Sequence, residues 1–354
     1  MNRQLIVHTV CAAVVFAASA NIAIAQTPLI PTNVPGISVV PPPPAGFDPI
    51  AATPAQREQY AIPPVPDPTA APAAYAEWRR AMSVPRNYEA PVLETTDLYN
   101  QPNIPVGASE PIADKTVAAN SSNWSGTSVV KGDFTTLEAI EAEFVVPTAR
   151  QAFGTCSGTV YSSLWPGIDG NGSNDVLQGG VEVDATCASG TTTPFYSAWI
   201  EWFPNSETRV SSPTIHPGDL MFVEVWATST TTGFVYFLDF STNTSAQYAL
   251  TAPRGTTLKS NSVEWIVERP GVNGTLATLT NYIQTSWPLG VAWRYNDKAP
   301  DYYYEGANPT KGTIQVLTML DNSSNPISAP IGENTNFLWF LDSGSACGVS
   351  SSPC

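Results

Sequence analysis

The sequence is poor in the residues on which most catalytic and metal centres are built. It holds two histidines in 354 residues, His8 and His216. A histidine-rich metal centre is therefore excluded by count. A Ser-His-Asp or Cys-His hydrolase would have to use His216, which sits in the turn-like PTIHPGD. No GxSxG elbow, phosphate-binding glycine loop or C-x-x-C pair occurs. Basic residues are also scarce: Lys and Arg total 15 against 30 Asp and Glu, for a net charge of −15. Such a surface makes nucleic acid and anionic membranes poor partners. Only 13% of residues are charged, so few ion pairs exist for acid to break, and protonation relieves self-repulsion instead. These absences leave carboxylates as the groups that would carry proton transfer in an enzyme.

The chain opens with Arg3, then a run of small and apolar residues from Leu5 to Ala18, then Ala23-Ile24-Ala25. This reads as a signal peptide over 1–25, cut before Gln26, and predicts a secreted product, extracellular or periplasmic. No later run approaches the length needed to span a bilayer. In an oxidising compartment Cys156, Cys187, Cys347 and Cys354 predict two disulfides. Three connectivities are open; the local pairs Cys156–Cys187 and Cys347–Cys354 are favoured because each closes a short loop.

Residues 26–118 hold most of the prolines, including Pro41 to Pro44 and PPVPDPTAAPA. Such a stretch is expected to be largely irregular, extended or disordered, without a core of its own. One island, AAYAEWRRAM near 73–82, has the composition and apolar face of a short helix. A pro-segment that covers an active site and a plain spacer are the two readings of this region. From residue 119 to 354 the pattern changes to short alternating runs: LEAIEAEFVVP, YSAWIEWFP, LMFVEVWATST, FVYFLDFST, VEWIVERP, TIQVLTML. Alternation bounded by turn formers predicts antiparallel strands, and hence an all-β sandwich or barrel in one domain.

Three readings fit these runs, two of them carboxylate chemistries. Asp342-Ser343-Gly344 resembles half of an aspartic peptidase signature, but its only candidate partner, Asp169-Gly170, lacks the hydroxyl residue, and DSG reads as a strand end and turn. Glu264 and Glu268 in EWIVE fall on one strand face, as two glycosidase carboxylates would on a jelly roll. A non-catalytic carbohydrate-binding sandwich is the third reading. Spacing alone leaves these open.

Five segments then resemble the glutamic peptidases (eqolisins) in order: SNWSG at 122–126, WPGIDG at 165–170, VLQGGVE at 176–182, YSAWIEWFP at 196–204 and VEWIVERP at 263–270. The resemblance implies a lectin-like (concanavalin A-like) antiparallel β-sandwich with Gln178 and Glu268 as its catalytic pair. Glu268 would act as general base on a water, and Gln178 would stabilise the oxyanion. Trp165, Asp169, Glu182 and Glu201 are candidate supporting or substrate-binding residues. Gly179 and Gly180 are read as leaving room for a substrate backbone. Ser197 stands where many members carry an acid. The implied protein is a monomeric acid endopeptidase on polypeptide substrates, with no metal and no cofactor.

Overall fold

The computed structural model describes residues 27–69, 71–113, 115–130, 138–152, 154–294, 302–303, 312–331 and 337–340. The signal-peptide reading, Asp342 and the Cys347–Cys354 pair lie outside them.

Alternation is what builds the two sheets. In SVEWIVE, Val263, Trp265 and Val267 point one way into the main core, and Glu264, Ile266 and Glu268 point the other. Strands of this kind assemble, among the described residues, into an 8-stranded and a 14-stranded sheet with a 3-stranded ladder beside them. Through the middle of the larger sheet the order is Thr313–Leu320, Trp124–Val130, Ser262–Glu268, Ser163–Ile168, Val176–Ala188 and Thr191–Phe203, and each of these neighbours pairs antiparallel. A parallel pair joins Thr313–Leu320 to Thr116–Ser121. The smaller sheet runs through Thr244–Thr251, Thr232–Asp239, Leu220–Ser229, Glu138–Val145 and Leu289–Arg294. Leu164, Leu177, Val181 and Ile200 of one sheet meet Val223, Val225, Val235 and Phe237 of the other in one apolar core. The expected all-β sandwich is therefore the architecture.

The proline-rich segment departs from its expectation. It is largely irregular in its hydrogen bonding, but it is not without a core. The helix Pro72–Ser83 begins with proline in its first turn and buries Ala74, Trp78, Ala81 and Met82, a spacing that makes one apolar stripe. That stripe packs on Phe222, Trp226, Tyr236 and Trp293, on the face of the smaller sheet turned away from the main core. Trp78 also donates its indole N–H to the Pro63 carbonyl at 3.1 Å. Ile37–Val39 extends the smaller sheet beside Thr244–Thr251, and Leu93–Thr95 extends the larger one beside Thr208–Val210. Composition hid this order because the apolar surface that holds the segment belongs to strands more than a hundred residues away. No helix among the described residues is long and apolar enough to cross a membrane.

The Cys156–Cys187 disulfide is formed, its cysteines 31 positions apart in sequence. It ties a loop to the far end of the Val176–Ala188 strand, where Cys187 pairs with Gly158.

Candidate active site

The outward face of the larger sheet carries a lattice fixed by strand register. One rung runs Ser128, Glu264, Gly167, Gln178, Glu201. A second, four residues along, runs Trp124, Glu268, Ser163, Glu182, Ser197. Between them lie Ile266, Trp165 and Trp199. Gln178 and Glu268 thus sit on one face of one sheet, on strands separated by the Trp165 strand. By register alone Glu264 is the acid level with Gln178; Glu268 lies diagonally from it.

A stretch of the proline-rich segment lies over that diagonal. The Gln178 side-chain amide donates to the Asn100 carbonyl oxygen. The next backbone N–H, that of Gln101, donates to Glu268 Oε1 at 3.0 Å. One peptide group, Asn100–Gln101, therefore spans Gln178 and Glu268. Beyond it, the Gln101 carbonyl accepts from the Trp124 indole and from Asn123 Nδ2, both at 3.1 Å. Asn123 also donates to Glu268 Oε1 at 3.2 Å.

Trp165 meets Glu268 directly, its indole N–H donating to Oε2 at 3.1 Å. Its ring stands edge-on to Trp124, centroids 5.1 Å apart. Two glycines make the space. A Cβ on Gly180 would stand 2.0 Å from the Leu164 carbonyl oxygen and 2.7 Å from Trp165 Cβ, and one on Gly167 would stand 2.7 Å from the Trp165 ring. A Cβ on Gly179 would meet Val235 of the other sheet at 2.5 Å. The reading that Gly179 and Gly180 admit a substrate backbone is corrected accordingly. They admit the neighbouring strand with its tryptophan and the facing sheet.

All the carboxyls here are buried. Glu268 is pushed well above the usual carboxylate range by burial and then by the neighbouring Glu201, against the pull of the hydrogen bonds from Asn123 and Gln101. Glu201 is raised in the same way by burial, opposed by two bonds from Asn100, whose backbone N–H and Nδ2 reach its Oε2 at 3.0 and 3.2 Å. Glu264 is raised by burial, with Ser128 Oγ donating to its Oε1 at 3.2 Å. Among the described residues no basic side chain pairs with Glu268; Arg209 instead grips Glu182, Nε reaching its two carboxyl oxygens at 2.9 and 3.0 Å.

The sequence-read candidates thus divide. Gln178, Glu268, Trp165 and Glu201 gather around Asn100 and Gln101. Glu182 belongs to the Arg209 pair on their flank. Asp169, at φ +71°, accepts the backbone N–H groups of Lys259, Ser260 and Asn261 at 2.6–3.0 Å, and so holds the loop that enters the Glu268 strand. The Ser197 hydroxyl donates to the Ala198 carbonyl. Sequence reasoning missed Asn100, Gln101, Asn123 and Glu207. Asn123 stood inside SNWSG, which was noted only for its likeness. Glu207 had no signal: its carboxyl reaches the site because Thr96 and Leu98 hold its backbone.

Against known proteins, residues 122–316 match the model of the Peptidase A4 family, more than half of the chain. The chain belongs to that family, the glutamic peptidases. It is 30% identical over 164 residues to aspergillopepsin-2 of Aspergillus niger, covering 42% of this chain and 56% of that protein. With scytalidopepsin B of Scytalidium lignicola it shares 28% over 148 residues, 42% and 51%. The chain thus spans about half the length of these curated relatives. Among solved structures, scytalido-glutamic peptidase with a transition state analog inhibitor aligns with a TM-score of 0.46 at 20% identity, over 62% of this chain and 98% of that one. Aspergilloglutamic peptidase from Aspergillus niger aligns with a TM-score of 0.41 at 22% identity, over 51% and 99%.

Proposed function

We propose that this chain is a secreted acid endopeptidase in which Glu268 and Gln178 hydrolyse peptide bonds by direct attack of water. The observation that carries the reading is the Asn100–Gln101 peptide group. Its carbonyl is on the amide donor of Gln178, and its nitrogen is on the carboxyl of Glu268. Any peptide laid along the same path has its polarisable oxygen and its leaving nitrogen on those two groups.

In the reaction, ionised Glu268 takes a proton from a water, whose oxygen attacks the carbonyl carbon. A carboxylate whose pKa is raised is a stronger base for this step. Negative charge grows on the carbonyl oxygen, where Gln178 donates from a fixed, buried position. Glu268, now protonated, faces the nitrogen and returns the proton to it as the C–N bond breaks. Trp165 and Asn123 hold the carboxyl in place. The rate should rise as Glu268 ionises and fall once Glu201 ionises after it. Glu201 must stay neutral, because its ionisation would set a second negative charge beside Glu268 and the oxyanion.

Residues 26–118 are read as a pro-segment that occupies the cleft until it is cut, and residues 1–25 as the signal that exports the chain. Acidified protein should digest casein in the presence of a pepstatin-type inhibitor. Gln178→Ala should lower the rate by ~10²–10³, the usual cost of one oxyanion donor, with the fold kept. Glu268→Gln should abolish it. An undiminished rate in Gln178→Ala, or digestion that survives in Glu268→Gln, rejects the dyad.

A further inference from the structure

The smaller sheet buries acids of its own. On the face that the helix Pro72–Ser83 covers, register sets one rung as Gln247, Tyr236, Glu224, Glu141 and Val291. Glu224 and Glu141 stand directly opposite each other on antiparallel strands, a placement that brings Cβ atoms to ~4.5–5.5 Å. Both residues are fully buried. The rung on one side is Phe234, Trp226, Ala139 and Trp293; the rung on the other includes Leu238, Phe222 and Glu143. Trp78 and its helix close over them in one apolar cluster with Phe222, Trp226, Tyr236 and Trp293. Two like acids thus face each other inside an apolar layer, on the sheet that carries neither Gln178 nor Glu268.

The cations of the covering layer are engaged elsewhere. Arg80 of the helix pairs with Glu77 at 2.6 Å and with Glu143, and its guanidinium lies 3.9 Å from the Phe240 ring centroid. Arg79 lies over Tyr75, and Arg86 lies 5.3 Å over the Tyr236 ring while donating to Met82 Sδ at 3.0 Å. Among the described residues no basic side chain pairs with Glu224. Burial pushes its carboxyl well above the usual range. Glu143 is pushed up to about 7 by burial and then by Glu77, against the pull of Arg80. Tyr236, raised by burial, stays neutral wherever these acids titrate.

We propose that Glu224 and Glu141, with Glu143 beside them, make the docking of the helix Pro72–Ser83 conditional on protons, as a clasp held in acid that lets this layer lift from the smaller sheet as the medium turns neutral. The clasp does not rest on Gln178 or Glu268. Protonated, the opposed carboxyls are neutral and tolerate the apolar cover. Ionised, one would be a bare charge under the helix, and both together would repel; water relieves either only when the helix lifts. In the lifted state glutamates titrate near the ordinary ~4.3. Docking is therefore strongest below pH ~4. It weakens tenfold per pH unit for each acid that is protonated when docked and ionised when lifted. For Glu143 that loss ends at about 7, where the docked acid ionises too. Glu224, more deeply buried and without an arginine, keeps its proton longer than Glu143.

Hydrogen exchange of the full chain tests it, with amide rates corrected for intrinsic exchange at each pH from ~4 to ~8.5. Protection of the helix amides should fall by ~100-fold or more over that range, while that of the Ser262–Glu268 strand, in the middle of the larger sheet, holds. In the double variant Glu141→Gln with Glu224→Gln, the part of the fall above pH ~7 should vanish, leaving only the part below it that belongs to Glu143. Should that variant fail to fold, Glu224→Gln alone must at least halve the slope above pH ~7. Three results overturn the clasp: helix protection that is level across the whole range, a slope above pH ~7 as steep in the variant as in the unaltered chain, or helix and larger sheet losing protection in step.

Discussion

Replacing Trp165 with phenylalanine separates the electrostatic part of this site from its packing. The ring that stands edge-on to Trp124 is largely kept, and Gly167 and Gly180 still make room for it. What is lost is one N–H, the donor 3.1 Å from Glu268 Oε2. The remaining donors named on that carboxyl, Gln101 N–H and Asn123 Nδ2, both go to Oε1, so Oε2 loses the indole. A hydrogen bond to a charged group is worth ~1.5–3 kcal/mol, and it favours the ionised form of the acid that accepts it. Removing it disfavours ionisation, and Glu268 must ionise to act as base. On the acid limb of the kcat/KM profile the rate should therefore fall by ~10- to 100-fold, at ~1.4 kcal/mol per factor of ten. At higher pH, where Glu268 is ionised in both proteins, the two rates should converge, so the maximum moves toward neutral pH. The assay is kcat/KM on one uncharged-side-chain peptide from pH 2 to 7. A variant that loses rate equally at every pH, or whose acid limb does not move, would refute the role given to Trp165.

Three further outcomes follow from the buried acids, the disulfide and the segment. Asp175 is pushed up to about 7 from 3.8 by burial and then by Asp169, so the folded state holds this proton longer than the unfolded chain. Its contribution is therefore full below pH ~4 and lost as pH rises toward 7, a loss of ~4 kcal/mol that Asp175→Asn should remove; parallel melting curves against pH for the two proteins would contradict this. Replacing both Cys156 and Cys187 with alanine should destabilise the protein by ~3–4 kcal/mol, from the loop their 31-residue separation closes, read by urea unfolding with and without reductant. Trp78→Ala should cost the full chain ~3–5 kcal/mol, because the ring is buried between the helix and the smaller sheet, and an unchanged melting temperature would show that the helix contributes nothing there.

The strands were legible because their alternation is local. SVEWIVE, VLQGGVE and YSAWIEWF each show in their own letters which residues share a face. The site was legible only in part, because faces do not reveal neighbours. That the Trp165 strand lies between those of Gln178 and Glu268 follows from a strand order that sequence order does not contain. The register puts Glu264, not Glu268, level with Gln178, so register alone would favour the other acid. What links Gln178 to Glu268 is a peptide group 78 residues from one and 167 from the other. Nothing in LYNQPN marks it, since a chain held in extended form by acids and indoles has no periodicity of its own. The glycines misled for a similar reason: their sequence tells that space is needed, but only the packing tells what fills it.

The position of the Ser163–Ile168 strand has one more consequence. It is hydrogen-bonded along both edges, to the strand of the amide on one side and to that of the acid on the other. The interval between Gln178 and Glu268, the pair proposed to react, is thus a property of backbone ladders and not of loops. Heat cannot widen it gradually. Activity should persist, in a pulse-heating experiment, until the sheet itself gives way, with inactivation and loss of the β signal in circular dichroism sharing one midpoint.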